Sequence, residues 1–209
     1  MSTTYLPAHF EETRLPVLQD LVDAHPLATW ATLTDGELAV HHVPFLLDRT
    51  RGPFGTLVGH VARANPVWRG LQRSVLVFQG AEAYISPGWY ASKREHGKVV
   101  PTWNYAVVHA LGTPVAVQEP AALLAILNRL TDRHEATQAR PWQVADAPAD
   151  YIDKLLQAIV GIEVPVERLV GKWKVSQNRS AADRQGVADG LAQGDAEHPM
   201  APLVRGAGG

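Results

Sequence analysis

The sequence predicts an α+β fold that is mainly β, a small antiparallel barrel with peripheral helices. Three observations carry this. Short apolar runs of β type recur at even spacing between Leu27 and Val117, and again between Ile162 and Val175. Turn pairs, Asp35-Gly36, Gln79-Gly80 and Leu111-Gly112, divide the first set. Stretches of helical period lie outside that set, around Arg14–Ala24, Glu119–Glu135 and Asp150–Val160.

The first helix is expected over Arg14–Ala24, where Leu15, Leu18, Leu21 and Val22 recur at helical spacing. Thr13 suits its N-cap, Pro16 its first turn and Pro26 its exit. Leu27–Leu33 and Leu38–Leu47 then read as strands joined by a tight turn at Asp35-Gly36. On the second of these, Ala39, His41, Val43 and Phe45 share one face, and Leu38, Val40, His42, Pro44 and Leu46 the other. Phe54–Ala62 is a third strand. Val75–Phe78 and Ala81–Ser86 form a hairpin through Gln79-Gly80, and Val99–Ala110 and Thr113–Val117 turn at Leu111-Gly112.

Glu119–Glu135 carries the stripe Leu123, Ile126, Leu127 and Leu130. Asp150–Val160 is the next helix, capped by Asp150, with Gly161 near its end. Ile162–Val175 reads as two β pieces broken at Pro165. Ser180–Leu191 forms a last helix, capped by Ser180 and weakened by Gly186. The domain is expected to span 1–192, and the Gly-, Pro- and Ala-rich residues 193–209 to form a loose tail.

Composition narrows the function. The chain has 209 residues, 46% hydrophobic and 19% charged, with a net charge of -2. That is the composition of a globular protein, and it gives no electrostatic drive toward nucleic acid in general. No apolar run approaches the ~18 residues of a membrane span. The start, MSTTYLPAHFEE, lacks a signal-peptide pattern, so a cytoplasmic location is expected. With no Cys, disulfides, thiolate metal sites and Cys nucleophiles are excluded. Neither a Walker-type loop nor GxGxxG, HExxH or GxSxG is present. The surplus lies elsewhere, in six Trp and nine His.

Five segments concentrate these residues and the basic ones. His41-His42-Val43-Pro44 puts imidazoles on a strand, either as donors to a ligand or as one core and one surface histidine. In Gly59-His60-Val61-Ala62-Arg63-Ala64-Asn65-Pro66-Val67-Trp68, His60 and Arg63 bracket a small-residue turn. Such a turn suits an anion, and it equally suits a strand-to-helix corner with a surface arginine. Tyr84–Lys93 and Val100–Tyr105 are aromatic-rich, to pack on a planar ligand, on a dimer partner or on the chain's own core. Lys172-Trp173-Lys174-Val175-Ser176-Gln177-Asn178-Arg179 is either an anion site or a solvated edge strand.

Together with the opening Tyr5-Leu6-Pro7-Ala8-His9-Phe10, these segments resemble, in order, the PaiB-type family, also called FMN-binding negative transcriptional regulators. The match covers residues 5 to 192 or so. The resemblance implies a flavin-type split β-barrel similar to pyridoxamine-phosphate oxidases, a homodimer, and FMN at the subunit interface. It implies a phosphate held at the His60–Asn65 turn, with Arg63, and a flavin ring running beside His42 and Pro44. Trp103 and Tyr105, with Lys172 and Lys174, complete the implied cofactor set. Any catalysis would be flavin-dependent oxidoreduction. Two other readings stay open: a transcriptional regulator without flavin, and a haem-binding or haem-degrading protein with His41, His42, His60 or His109 as axial ligand. Direct DNA contact has only the short basic segment Lys172–Arg184 to draw on.

Overall fold

A computed structural model describes residues 4–34 and 36–207. The strands are β1 (Glu11–Glu12), β2 (Leu27–Thr34), β3 (Glu37–Asp48), β4 (Thr56–Ala62), β5 (Ser74–Ile85), β6 (Thr102–Gly112), β7 (Val115–Val117) and β8 (Ile159–Lys174). The helices are α1 (Leu15–Ala24), α2 (Ser92–His96), α3 (Pro120–Glu135), α4 (Ala149–Gln157), α5 (Ala181–Gly194) and α6 (Met200–Gly206). All strands join one sheet in the order β1-β8-β4-β3-β2-β5-β6. Strand β7 pairs β8 antiparallel, and a further β8–β6 pairing brings the ladder back to β8. This is the antiparallel barrel that the strand spacing predicts.

Chain contacts divide the molecule into two compact units. One comprises Gln19–Phe78 and His109–Leu169. In it, β2 and β3 run in register from Leu27↔Pro44 to Thr34↔Glu37. The hairpin turn expected at Asp35-Gly36 falls partly outside the described residues, since Asp35 is not among them. Gly36 has φ +84°, a conformation that glycine adopts without a Cβ penalty. Glu119 caps α3 by accepting from the Ala121 and Ala122 N–H groups at 3.0 and 2.7 Å. Leu123, Ile126 and Leu130 are its buried stripe, and the last two pack on Val58 of β4.

The other unit comprises Met1–Leu18, Gln79–Val108 and Val170–Gly209. Its core includes Ile85, Tyr90, Val175, Val187, Leu191, Met200 and Val204. Ser180 caps α5 by accepting from the Asp183 N–H at 3.1 Å. A Cβ on Gly190 would lie 2.4 Å from the Trp89 ring, and one on Gly186 2.1 Å from the Trp89 carbonyl oxygen. Gly186, unfavourable for a helix by propensity, is therefore what lets α5 approach the Trp89 backbone.

Several expectations give way. Gln79-Gly80 is no hairpin: β5 runs unbroken from Ser74 to Ile85. Gly80 is not among the residues with positive φ, so the chain continues extended there. Nor do Leu111-Gly112 turn the chain, because β6 runs through Gly112 and β7 pairs β8 instead. A Cβ at Gly112 would stand 2.4 Å from the Pro165 carbonyl oxygen, so that glycine serves close passage of two strands. Pro165 does not break β8. Pro165 stays in the β4–β8 register opposite Thr56, and the neighbouring Val166 N–H bonds the Gly55 carbonyl at 3.0 Å. Asp150 lies inside the first turn of α4, whose N-cap is Pro148. The tail is not loose through its length: α6 buries Met200, Ala201 and Val204 at helical spacing.

Candidate functional site

The predicted residues fall into two sets, one in each unit. In the unit holding Gln19–Phe78, strand β3 alternates as its pattern requires. Val43 and Phe45 are buried, His41 is half-buried on their side, and His42 and Pro44 face outward. His41, not His42, meets Asn65, at 3.4 Å between Nδ1 and Nδ2, and its ring tilts against Trp30. Asn65 also accepts from the Val67 N–H at 3.0 Å, so it caps the short turn Pro66–Arg69. The Nε2 of His41 and the Nδ1 of His60 are buried without a hydrogen-bond partner.

His60 lies on β4 opposite Gly161 and, with Pro44, Leu130, Thr131, His134, Glu135 and Trp142, lines a shallow cavity of about 310 Å³. Burial pushes its pKa down from the ordinary histidine value, so the imidazole is held neutral. Arg63 is committed elsewhere. Its Nε donates to the Gln157 carbonyl at 2.7 Å, Nη2 to the Ile159 carbonyl at 2.9 Å and Nη1 to Gln118 Oε1 at 2.9 Å. The first satisfies the last carbonyl of α4, the end where a cation also suits the helix dipole, and the second the first carbonyl of β8. The carbonyl of Arg63 in turn accepts from Trp68 Nε1 at 2.9 Å.

In the unit holding Gln79–Val108 and Val170–Gly209, the paired strands β6 and β8 bring the other predicted residues together. The Lys172 ammonium sits 5.5 Å from the Tyr105 ring and 5.4 Å from the Tyr5 ring, and donates to the Tyr5 carbonyl at 3.1 Å. Glu11 is its cross-strand neighbour in β1, yet forms no ion pair with it. Lys174 Nζ donates to Thr102 Oγ1 at 2.5 Å. Among the described residues neither lysine pairs with a carboxylate. Elsewhere on β6, Trp103 meets Tyr84 of β5 edge-on at 6.1 Å, and both stay half exposed, at 49% and 50%.

The end of β8 is fixed by a residue pair that the sequence did not single out. Asn104 Nδ2, between Trp103 and Tyr105, donates to Ser176 Oγ at 2.9 Å, and both residues are buried. Ser176 has φ +69°, the one positive-φ non-glycine among the described residues. Period 2 gave a partial signal, since it puts Asn104 on the face opposite its aromatic neighbours. The positive φ of Ser176 leaves no such trace.

A planar anionic cofactor needs cations free of carboxylates and an aromatic surface. On the β6–β8 face, among the described residues, Lys172 and Lys174 have no carboxylate partner, and the Tyr105 ring lies 5.5 Å from the Lys172 ammonium.

The model of the family described as "Putative FMN-binding domain" matches residues 4–168. The chain belongs to this FMN-binding domain family. An uncharacterized protein of Aspergillus fumigatus is 33% identical, over 90% of this chain and 90% of its own. The Bacillus subtilis protease synthase and sporulation protein PAI 2 is 31% identical, over 90% of this chain and 88% of its own, which makes this family member a PaiB homologue. Among solved structures, the FAD and haem binding protein of Mycobacterium smegmatis aligns with a TM-score of 0.56 at 19% identity, over 78% of this chain and 73% of that one. At that identity the likeness concerns the fold, which is the flavin-type split β-barrel. No helix among the described residues is long and apolar enough to cross a membrane.

Proposed function

We propose that this family member binds FMN and that the β6–β8 face holds it. The observation that supports this reading is the pair Lys172 and Lys174, both without a carboxylate partner among the described residues, with the Tyr105 ring 5.5 Å from the Lys172 ammonium and Trp103, its near neighbour on β6, half exposed. The two ammonium groups offset a phosphate charge of about -1.5 to -2. Trp103 and Tyr105 offer π surfaces to the isoalloxazine ring. When bound, FMN supplies electron-transfer chemistry, and the chain's residues orient and shield it.

The turn after β4 is the competing holder, with His42, Pro44, His60 and Asn65. Arg63 is better read there as part of the architecture, because its donors go to the Gln157 and Ile159 carbonyls. FMN titration followed by absorbance and flavin fluorescence separates the two. Lys172→Met with Lys174→Met weakens binding at least tenfold if the β6–β8 face holds the cofactor. His60→Ala with Asn65→Ala does so if the turn holds it.

The working form is a homodimer, supported by the half-exposed Trp103 and Tyr84. Sedimentation at a single 22.7 kDa species contradicts this part of the reading. If the protein has turnover, it is flavin-dependent oxidoreduction. The B. subtilis relative is a protease synthase and sporulation protein, and a regulatory role for this chain is part of the reading. It predicts a salt-dependent shift of operator DNA that scrambled DNA does not give. The spectrum of the purified protein also tests the haem alternative, through the presence or absence of a Soret band.

A further inference from the structure

The N-terminal segment ahead of β1 has no place in the cofactor reading, yet it ends on one of that reading's lysines. Two pairs in register, Glu11↔Lys172 and Glu12↔Gly171, fix β1 along β8. Ahead of it, the short turn Ala8–Phe10 reverses the chain, with the Phe10 N–H bonded to the Pro7 carbonyl at 2.8 Å. The reversal returns Tyr5 to Lys172. There the Tyr5 carbonyl accepts from the ammonium at 3.1 Å, and its ring lies 5.4 Å from the same nitrogen. Tyr5 is otherwise 81% exposed. A large aromatic ring is thus held in solvent chiefly by a cation, an arrangement with little apolar burial to stabilise it.

One ammonium has three protons to donate, and the Tyr5 carbonyl takes one direction of that fan. The Tyr5 carbonyl and ring together cover one side of the ammonium, so a phosphate that comes to that side competes with them, and its charged oxygen makes the stronger bond.

We propose that residues 4–7 form a strap across Lys172 that an incoming phosphate group must displace, so that the strap lowers the affinity of this face for phosphorylated ligands. The inference rests on the β6–β8 reading above. Its selectivity is chemical: the strap competes with the phosphate and not with the flavin ring. FMN binding is opposed by it, and riboflavin binding is not.

The test measures dissociation constants for FMN and for riboflavin on the full chain, on a form lacking the residues through Leu6, on Tyr5→Ala and on Lys172→Met. Circular dichroism first confirms that each variant keeps the wild-type fold and thermal midpoint. With the strap removed, FMN binds about three- to tenfold tighter while riboflavin is unchanged. Tyr5→Ala, which keeps the carbonyl but loses the ring contact, falls between wild type and the shortened chain. Lys172→Met loses the preference for FMN over riboflavin.

Equal FMN affinity with and without the strap, combined with a lost preference in Lys172→Met, overturns the strap and leaves the site standing. An unchanged preference in Lys172→Met overturns the site itself. Equal tightening of FMN and riboflavin also overturns the strap, since it shows steric cover of the ring instead of competition for the cation.

Discussion

Asn104 on β6 and Ser176 just beyond β8 are joined by a buried hydrogen bond of 2.9 Å, and Ser176 holds a left-handed backbone to make it. Asn104 lies between Trp103 and Tyr105 on β6, and Ser176 follows Lys174 by two residues. Removing the amide leaves the Ser176 hydroxyl buried without its partner and the backbone strain uncompensated. Asn104→Ala is expected to cost about 1–3 kcal/mol in urea unfolding. Ser176→Gly, which relieves the strain as it loses the bond, should cost less than Asn104→Ala. The reverse order would show that the left-handed turn is held by something else.

The glycines of α5 make a second case. Gly190→Ala forces a methyl group into the Trp89 ring, and overpacking of this kind costs about 1–3 kcal/mol. Gly194, with nothing within 4 Å of its would-be Cβ, tolerates alanine, with a gain of up to about 1 kcal/mol. The two urea midpoints should move in opposite directions.

Arg63→Ala separates architecture from binding. Its three hydrogen bonds reach the Gln157 carbonyl at the end of α4, the Ile159 carbonyl at the start of β8 and the Gln118 side chain, and because two of the three are exposed their loss costs about 1 kcal/mol. The expected outcome is a lower thermal midpoint with FMN affinity within twofold of wild type. A normal midpoint with lost FMN affinity would return Arg63 to the phosphate.

His60 predicts a pH dependence. Burial depresses its pKa in the folded state, so the unfolded chain binds the proton more readily. The associated stability is present above the unfolded histidine pKa, about 6.5, and is lost as pH falls through the lower folded value. His60→Gln should flatten that part of the urea midpoint profile between pH 7.5 and 5 relative to wild type. An unchanged difference between the two proteins across this range contradicts the burial account.

Much of this fold is legible because local chemistry and tertiary structure agree. The β2–β3 pairing follows from two period-2 runs around Gly36, and the ends of α3 and α5 from Glu119-Pro120 and Ser180. Three turns or breaks expected from Gly and Pro do not form, because neither residue ends a strand by itself. Gly80, Gly112 and Pro165 all lie inside long strands. Helix α6 escapes notice because seven residues have little intrinsic helicity, and Met200 and Val204 acquire their stabilisation only on reaching the core.

At the site, residue types were readable and commitments were not. Arg63 reads as a free donor until Gln157 and Ile159 are found beside it. Of the adjacent histidines, His41 makes the contact with Asn65, a choice that follows from its place on the face of Val43 and Phe45. The six tryptophans divide likewise: Trp30 is core, Trp89 packs on glycines, and Trp103 is among those that stay open.

The most direct measurement is equilibrium binding of FMN to the wild-type protein and to the Lys172→Met, Lys174→Met double variant at one fixed ionic strength. The account predicts bound flavin with quenched fluorescence in the wild type, and affinity at least tenfold weaker in the double variant with its fold intact. Equal binding by the two proteins, or no binding by either, would contradict it.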